Sequence, residues 1–231
     1  SERQILFAQQ EEPTTTGTTT SASQNLEERF QELEKRIKPI ALDQAWDIEG
    51  KAIDPNVLKG GLSASLPSAR VGVSWNEMKA DDSTRLVFAD GLPLKSAALT
   101  TGEPIAKGTE SYVTFVHGST PQLLGPGIPE PDPKRYELKD YIKYDTYLAK
   151  EEKHPFKEAL FEIAVSNVVS PEFYDSVKMM RWNQRSGAWD FLDYVKTSGC
   201  QSGGQCSIIA KSPGTSVFAI VVEKAVPDEP E

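Results

Sequence analysis

Apolar and polar positions alternate most clearly in the last third of the chain, from Glu158 to Glu223. Phe161-Glu162-Ile163-Ala164-Val165 alternates, and Val177 to Trp182 follows it. Next come a polar Asn183-Gln184-Arg185-Ser186-Gly187 turn, the stretch Trp189 to Val195, a loop from Cys200 to Cys206 and the run Val217 to Val222. Short apolar runs rich in Val, Ile and Phe and bounded by Gly, Pro and Ser are strand signals, so this block predicts four strands. Val217 to Val222 is apolar on both parities, which predicts a strand buried on both faces and therefore a central one. Trp182 and Trp189 flank the turn, and their large apolar rings are expected to seal the core beside it.

The pattern changes towards the N-terminus. Leu26, Phe30, Leu33 and Ile37 form one stripe at helical spacing. Asn25 supplies the N-cap, Glu28 completes a capping-box arrangement, and Pro39 stops the run. The spacing predicts an amphipathic helix over Asn25 to Lys38, too short for a stable coiled coil and suited to docking. Val71-Gly72-Val73-Ser74-Trp75, Arg85 to Ala89 and Ser111 to His117 read as strands of a first sheet or a first small sandwich. Pro121 to Pro133 contains five prolines and two glycines, a linker or a crossing loop. Tyr141, Tyr144 and Tyr147 fall at i, i+3 and i+6, the spacing of neighbours on a helical turn, among Lys139, Lys143 and Lys150. Tyrosines are favoured in recognition surfaces, so this cluster is a candidate contact site, against the plainer reading that the rings seal the core edge.

The expected organisation is a flexible Thr-rich arm at 1–24, a helix and first β region at 25–120, a proline-rich linker or crossing loop at 121–135, and a C-terminal β-sandwich region at 136–231. The fold class is mainly β: an antiparallel β-sandwich of one large or two small modules with one short N-terminal helix. The arm's run of threonines cannot bury enough surface to fold alone. Within it Ile5-Leu6-Phe7-Ala8 is a short apolar strand on a tether, suited to adding to the sheet of a neighbouring subunit. These few residues are too short for a signal-peptide core, so the chain reads as a mature form.

Composition narrows the function. Net charge is −9 in 231 residues, which disfavours generic binding to nucleic acid or to an anionic membrane. No apolar run is long enough for a transmembrane helix. The two cysteines, Cys200 and Cys206, flank Gly203-Gly204. A pair facing each other across a Gly-Gly tip reads as a disulfide, which points to an oxidising compartment. A metal site needs further ligands, and the only histidines, His117 and His154, are distant in sequence. None of the asparagines begins an N-glycosylation sequon. No phosphate loop, zincin motif or EF-hand spacing occurs, and no cofactor is implied. With the cysteines paired and no base beside a hydroxyl, nucleophilic catalysis lacks its parts. The chain reads as a non-enzyme.

Arg181-Trp182-Asn183-Gln184-Arg185-Ser186-Gly187-Ala188-Trp189, followed by Pro213-Gly214-Thr215-Ser216-Val217-Phe218-Ala219, resembles the closing strands of ZU5-like and related Ig-like β-sandwich modules of surface proteins. The resemblance covers Glu158 to Glu223 and implies an all-β module of envelope or cell-surface architecture. The expected function is structural: an extracytoplasmic assembly or adhesion protein, contacting a protein partner or its own copies through Ile5, Leu6 and Phe7 of the arm and through Tyr141, Tyr144 and Tyr147. A glycan- or protein-binding module is the second reading. A hydrolase with dispersed carboxylates is the third, although nothing in the sequence selects the pair.

Overall fold

The computed structural model describes residues 71–88, 90–148 and 154–225, with Glu28, 38–39, 42–46 and 51–53. The expected arm, with Ile5, Leu6 and Phe7, and most of the expected helix over Asn25 to Lys38 lie outside the described residues.

The protein is mainly β. The strands are β1 (Lys38–Pro39), β2 (Leu42–Trp46), β3 (Ala52–Ile53), β4 (Val71–Trp75), β5 (Ser83–Val87), β6 (Leu94–Thr101) and β7 (Thr109–Gly118). They continue with β8 (Tyr136–Leu148), β9 (Phe156–Ala164), β10 (Val177–Asn183), β11 (Ala188–Phe191), β12 (Tyr194–Lys196), β13 (Ser207–Ser212) and β14 (Ser216–Glu223). A six-stranded sheet has the order β1-β5-β6-β9-β13-β12, and an eight-stranded sheet the order β11-β10-β14-β8-β7-β4-β2-β3. Every pairing is antiparallel except the short β1–β5 contact.

One apolar cluster takes residues from both sheets: Val73, Phe115, Tyr144, Phe218 and Ile220 from the larger, Leu86, Leu99, Phe161, Ile163 and Ile208 from the smaller. Alternation along each strand sends these positions to one face. Aromatic rings interlock across the layer at edge-to-face geometry. Phe161 lies 5.1 Å from Phe218 and 5.5 Å from Tyr144, and Phe156 lies 5.2 Å from Trp75. Each fully buried ring of this size stabilises the fold by about 2–3 kcal/mol through area removed from water. The buried Trp75 indole donates to Ser111 Oγ at 2.8 Å, so its polar atom is satisfied.

Some expectations hold in detail. Val73 and Trp75 share the core face, β14 lies inside the larger sheet between β10 and β8, and β10 turns into β11 at Asn183–Gly187. Asn183 Oδ1 accepts the backbone N–H groups of Arg185 and Ser186 at 3.0 and 3.3 Å, and Gly187 takes φ +66°. That is the Asx-type turn chemistry its residues encode.

Others are corrected. Trp189 to Val195 is two strands: β11 belongs to the larger sheet and β12 to the smaller, and the chain changes sheet at Leu192–Asp193. Val71–Trp75 and Ser111–His117 do lie in one sheet, but the strand beginning near Arg85 lies in the other. β6 and β13 were not expected at all. The tyrosine cluster is not a helical turn but part of β8. Cys200 and Cys206 do not flank a two-residue tip. Cys200 lies within a helical turn, Gly199–Ser202, that Gly203 closes at φ +75°, and Cys206 follows it in the β12–β13 connection.

The proline-rich segment joins β7 to β8, which are neighbours in the larger sheet, and both sheets draw strands from either side of it. The segment is the β7–β8 connection. It folds back across the outer face of the larger sheet. Leu123, Leu124 and Ile128 pack there with Tyr141, Val217, Trp182 and Trp189. Its end is pinned by Lys224, whose Nζ donates to Pro133 O at 2.6 Å and whose backbone N–H donates to Arg135 O at 2.8 Å.

Candidate binding edge

β10 and β11 form the last hairpin of the larger sheet, and β11 has a neighbour on one side only among the described residues. In the register, Met180 faces Phe191, Arg181 faces Asp190 and Trp182 faces Trp189. The Leu192 N–H donates to Met179 O at 3.1 Å, which marks Met180–Phe191 as a non-hydrogen-bonded pair. Pairs alternate, so Trp182–Trp189 is one too. The main-chain N–H and C=O groups of Trp189 and Phe191 therefore point away from β10, along the open edge. Such an edge is a template for an added strand.

The side chains around the edge are aromatic because the outer face must cover apolar sheet residues. Trp182 and Trp189 meet edge to face with ring centroids 5.7 Å apart, as a close cross-strand pair should. Trp189 stacks on Tyr141 at 6.3 Å, and its indole N–H donates to Pro129 O at 2.8 Å. The proline-rich connection thus fixes the ring that sits on β11. Phe191 is 54% exposed and meets Tyr136 edge to face at 6.1 Å. The Arg135 guanidinium lies 5.4 Å from the Tyr136 ring centroid, within cation–π range. Asn183 Nδ2 donates to Asp190 Oδ2 at 2.7 Å across the hairpin.

The sequence-predicted site residues are not gathered here. Tyr141 and Tyr144 are buried on opposite faces of β8, Tyr141 under the proline-rich connection and Tyr144 in the core between the sheets. They cannot form one exposed surface. Tyr147 pairs with Tyr112 in register, and its side chain lies outside the described ones. Burial, and secondarily the carboxylate of Glu130, push the Tyr141 phenol up to about 12. Burial pushes Tyr144 higher still. Cys200 and Cys206 form the expected disulfide. Phe191 was missed because it sits in a short strand whose alternation is broken by the crossing at Leu192–Asp193. Its only signal was an aromatic residue two positions after Trp189.

The two histidines stand against different carboxylates. His117 lies on β7 with Nδ1 3.4 Å from Asp140 Oδ2, and Asp140 is buried. The pair borders a small apolar pocket formed by Phe88, Leu92, Leu94, Phe115 and Ile142. Among the described residues no hydroxyl or thiol hydrogen-bonds to the His117 ring. His154 contacts the Thr146 carbonyl and lies 3.7 Å from Asp145 at the far end of β8. Among the described residues no group of three or more His, Cys, Asp or Glu is placed to hold a metal. No helix among them is long and apolar enough to cross a membrane.

No protein-family model matches the chain, and no curated protein matches it.

Proposed function

We propose that this chain is a non-enzymatic structural protein of an extracytoplasmic surface or envelope, a β-sandwich module of the ZU5-like or Ig-like kind that works by assembly. The observation that carries the reading is the open β11 edge, where two residues' worth of main-chain hydrogen-bonding groups stand beside a half-exposed phenylalanine. A strand added there gains backbone hydrogen bonds from the edge and apolar contact from Phe191. Its partner is the arm of a second copy. Ile5-Leu6-Phe7-Ala8 has four residues, as β11 has, and alternate side chains of an added strand would face Phe191 and Tyr136. The disulfide supports an oxidising location, since a short loop closed in this way persists where thiols are not kept reduced. The shared core of two sheets supports the sandwich assignment.

The test is the mass of the full chain in solution, by light scattering on a sizing column, against a chain beginning at Asn25. Oligomers of the full chain and a monomer for the shortened one are the expected result. Monomers in both cases would end the assembly reading.

A further inference from the structure

The β7–β8 connection ends in Ile128-Pro129-Glu130-Pro131-Asp132-Pro133. Ile128, Glu130 and Asp132 each precede a proline, which disfavours the helical region and holds them extended. Alternating prolines thus set the run for polyproline II, a helix with three residues per turn. Burial follows that period. Ile128 is partly buried and Pro131, three residues on, is buried, while Pro129, Glu130, Asp132 and Pro133 are exposed. The side turned to the sheet meets aromatic rings. Ile128 packs in the cluster of Tyr141, Trp182 and Trp189, and the Trp189 indole N–H donates to Pro129 O at 2.8 Å. An aromatic groove that receives every third residue is how polyproline II peptides are recognised.

The chain's own segment uses this groove incompletely. Tyr141 is fully buried, stacks on Trp189 and has no hydrogen-bond partner for its hydroxyl. The Glu130 carboxylate acts on that phenol, so the hydroxyl lies beneath the segment. One aromatic donor is met and its neighbour is not, and an orphaned buried donor is costly. Joining the strands does not require the segment either. β7 and β8 are adjacent and antiparallel, and a two-residue turn can link such a pair, whereas this connection runs through residues 119–135. Connections of that length commonly carry function.

We propose that Tyr141, Trp182 and Trp189 form a recognition groove for a proline-rich segment of another protein in the polyproline II conformation, and that residues 128–133 of this chain fill the groove in its absence. The ligand places an apolar residue and a proline three positions apart where Ile128 and Pro131 now lie. It offers one carbonyl to the Trp189 indole and a second to the Tyr141 hydroxyl. The same segment from a second copy repeats the contacts already made and leaves Tyr141 unmet, so a different sequence is the fitting occupant.

Binding of a fluorescent proline decamer to the full chain tests this, because every residue of that probe is set for polyproline II and every carbonyl is free. The double variant Ile128→Gly, Pro131→Gly weakens the competing segment. It should bind the decamer at least ~10-fold more tightly than the native chain, since occupancy of the site lowers apparent affinity. Adding Tyr141→Phe to it should cost about 3- to 10-fold, one hydrogen bond's worth. No binding by a folded double variant overturns the proposal, as does equal binding of a glycine-serine decamer or indifference to Tyr141→Phe. Tighter binding of a peptide copying residues 125–133 than of the decamer also overturns it, in favour of a second copy. Should the double variant fail to fold, the native chain decides. Millimolar decamer should shift the Trp189 indole N–H resonance and speed exchange of the Ile128 amide, which donates to Gly125 O at 3.2 Å. Neither change would overturn the proposal if seen, and the absence of both would.

Discussion

Tyr141 brings its hydroxyl under the proline-rich connection with no hydrogen-bond partner among the described residues. A buried hydroxyl without a partner costs about 1–3 kcal/mol. Tyr141→Phe keeps the ring that Trp189 stacks on and removes the cost, so we expect unfolding stability unchanged or raised by about 1 kcal/mol in urea titration. A loss of more than that would mean the hydroxyl is paired. The tyrosines also set an alkaline limit. Tyr141 and Tyr194 are pushed from 10.0 to about 12, Tyr194 by burial and then by the Glu223 carboxylate. The folded state thus favours the neutral phenols. Their contribution is fully present below the unfolded value near 10 and is lost as pH rises through about 12. Phenolate absorbance is expected to rise in two stages, the exposed rings first and the buried ones together with unfolding. A single early rise, with the fold intact, would contradict these placements.

At the scale of elements, the Cys200–Cys206 loop is the most constrained piece. Gly199 opens its helical turn, and a Cβ there would collide with the carbonyl oxygen of Gln205. Gly199→Ala should cost about 1–3 kcal/mol, the range for forced overpacking. Reducing the disulfide should cost about 2 kcal/mol by the loop-entropy argument. Thermal unfolding with and without reductant, for both chains, separates the two costs. This loop also shows what was legible in the sequence. The bond between its cysteines followed from their count and spacing. The helical turn did not, because Gly203-Gly204 fits several turns equally well. The tyrosines of β8 misled for a definite reason: spacing of three fits a helix, and the strand contains a bulge. Ile220 faces Asp140 while Val221 faces Leu138, so Lys139 is an extra residue that shifts the parity of everything before it. Tyr136, Leu138 and Tyr141 consequently share the outer face. β6 was hidden because Ser96, Ala97 and Ala98 are weak strand formers, held extended by partners on both sides.

For the whole molecule, the arrangement of strands was the least legible level. The sequence contains the β periodicity but not the partner of each strand. Segments far apart pair instead of neighbours: β6 with β9, β14 with β8, and β4 with β7. The same topology puts β11 at one edge of the larger sheet and β12, two residues later, at the edge of the smaller. Assembly through β11 needs only an added strand at that edge. The direct test is the light-scattering mass of the full chain carrying Phe191→Asp, compared with the native chain over a range of concentrations. An exposed position of this kind should change stability by no more than about 0.5 kcal/mol, so any change in mass reports the edge. The account predicts oligomers for the native chain and monomers for Phe191→Asp. Equal masses for the two would contradict assembly through β11.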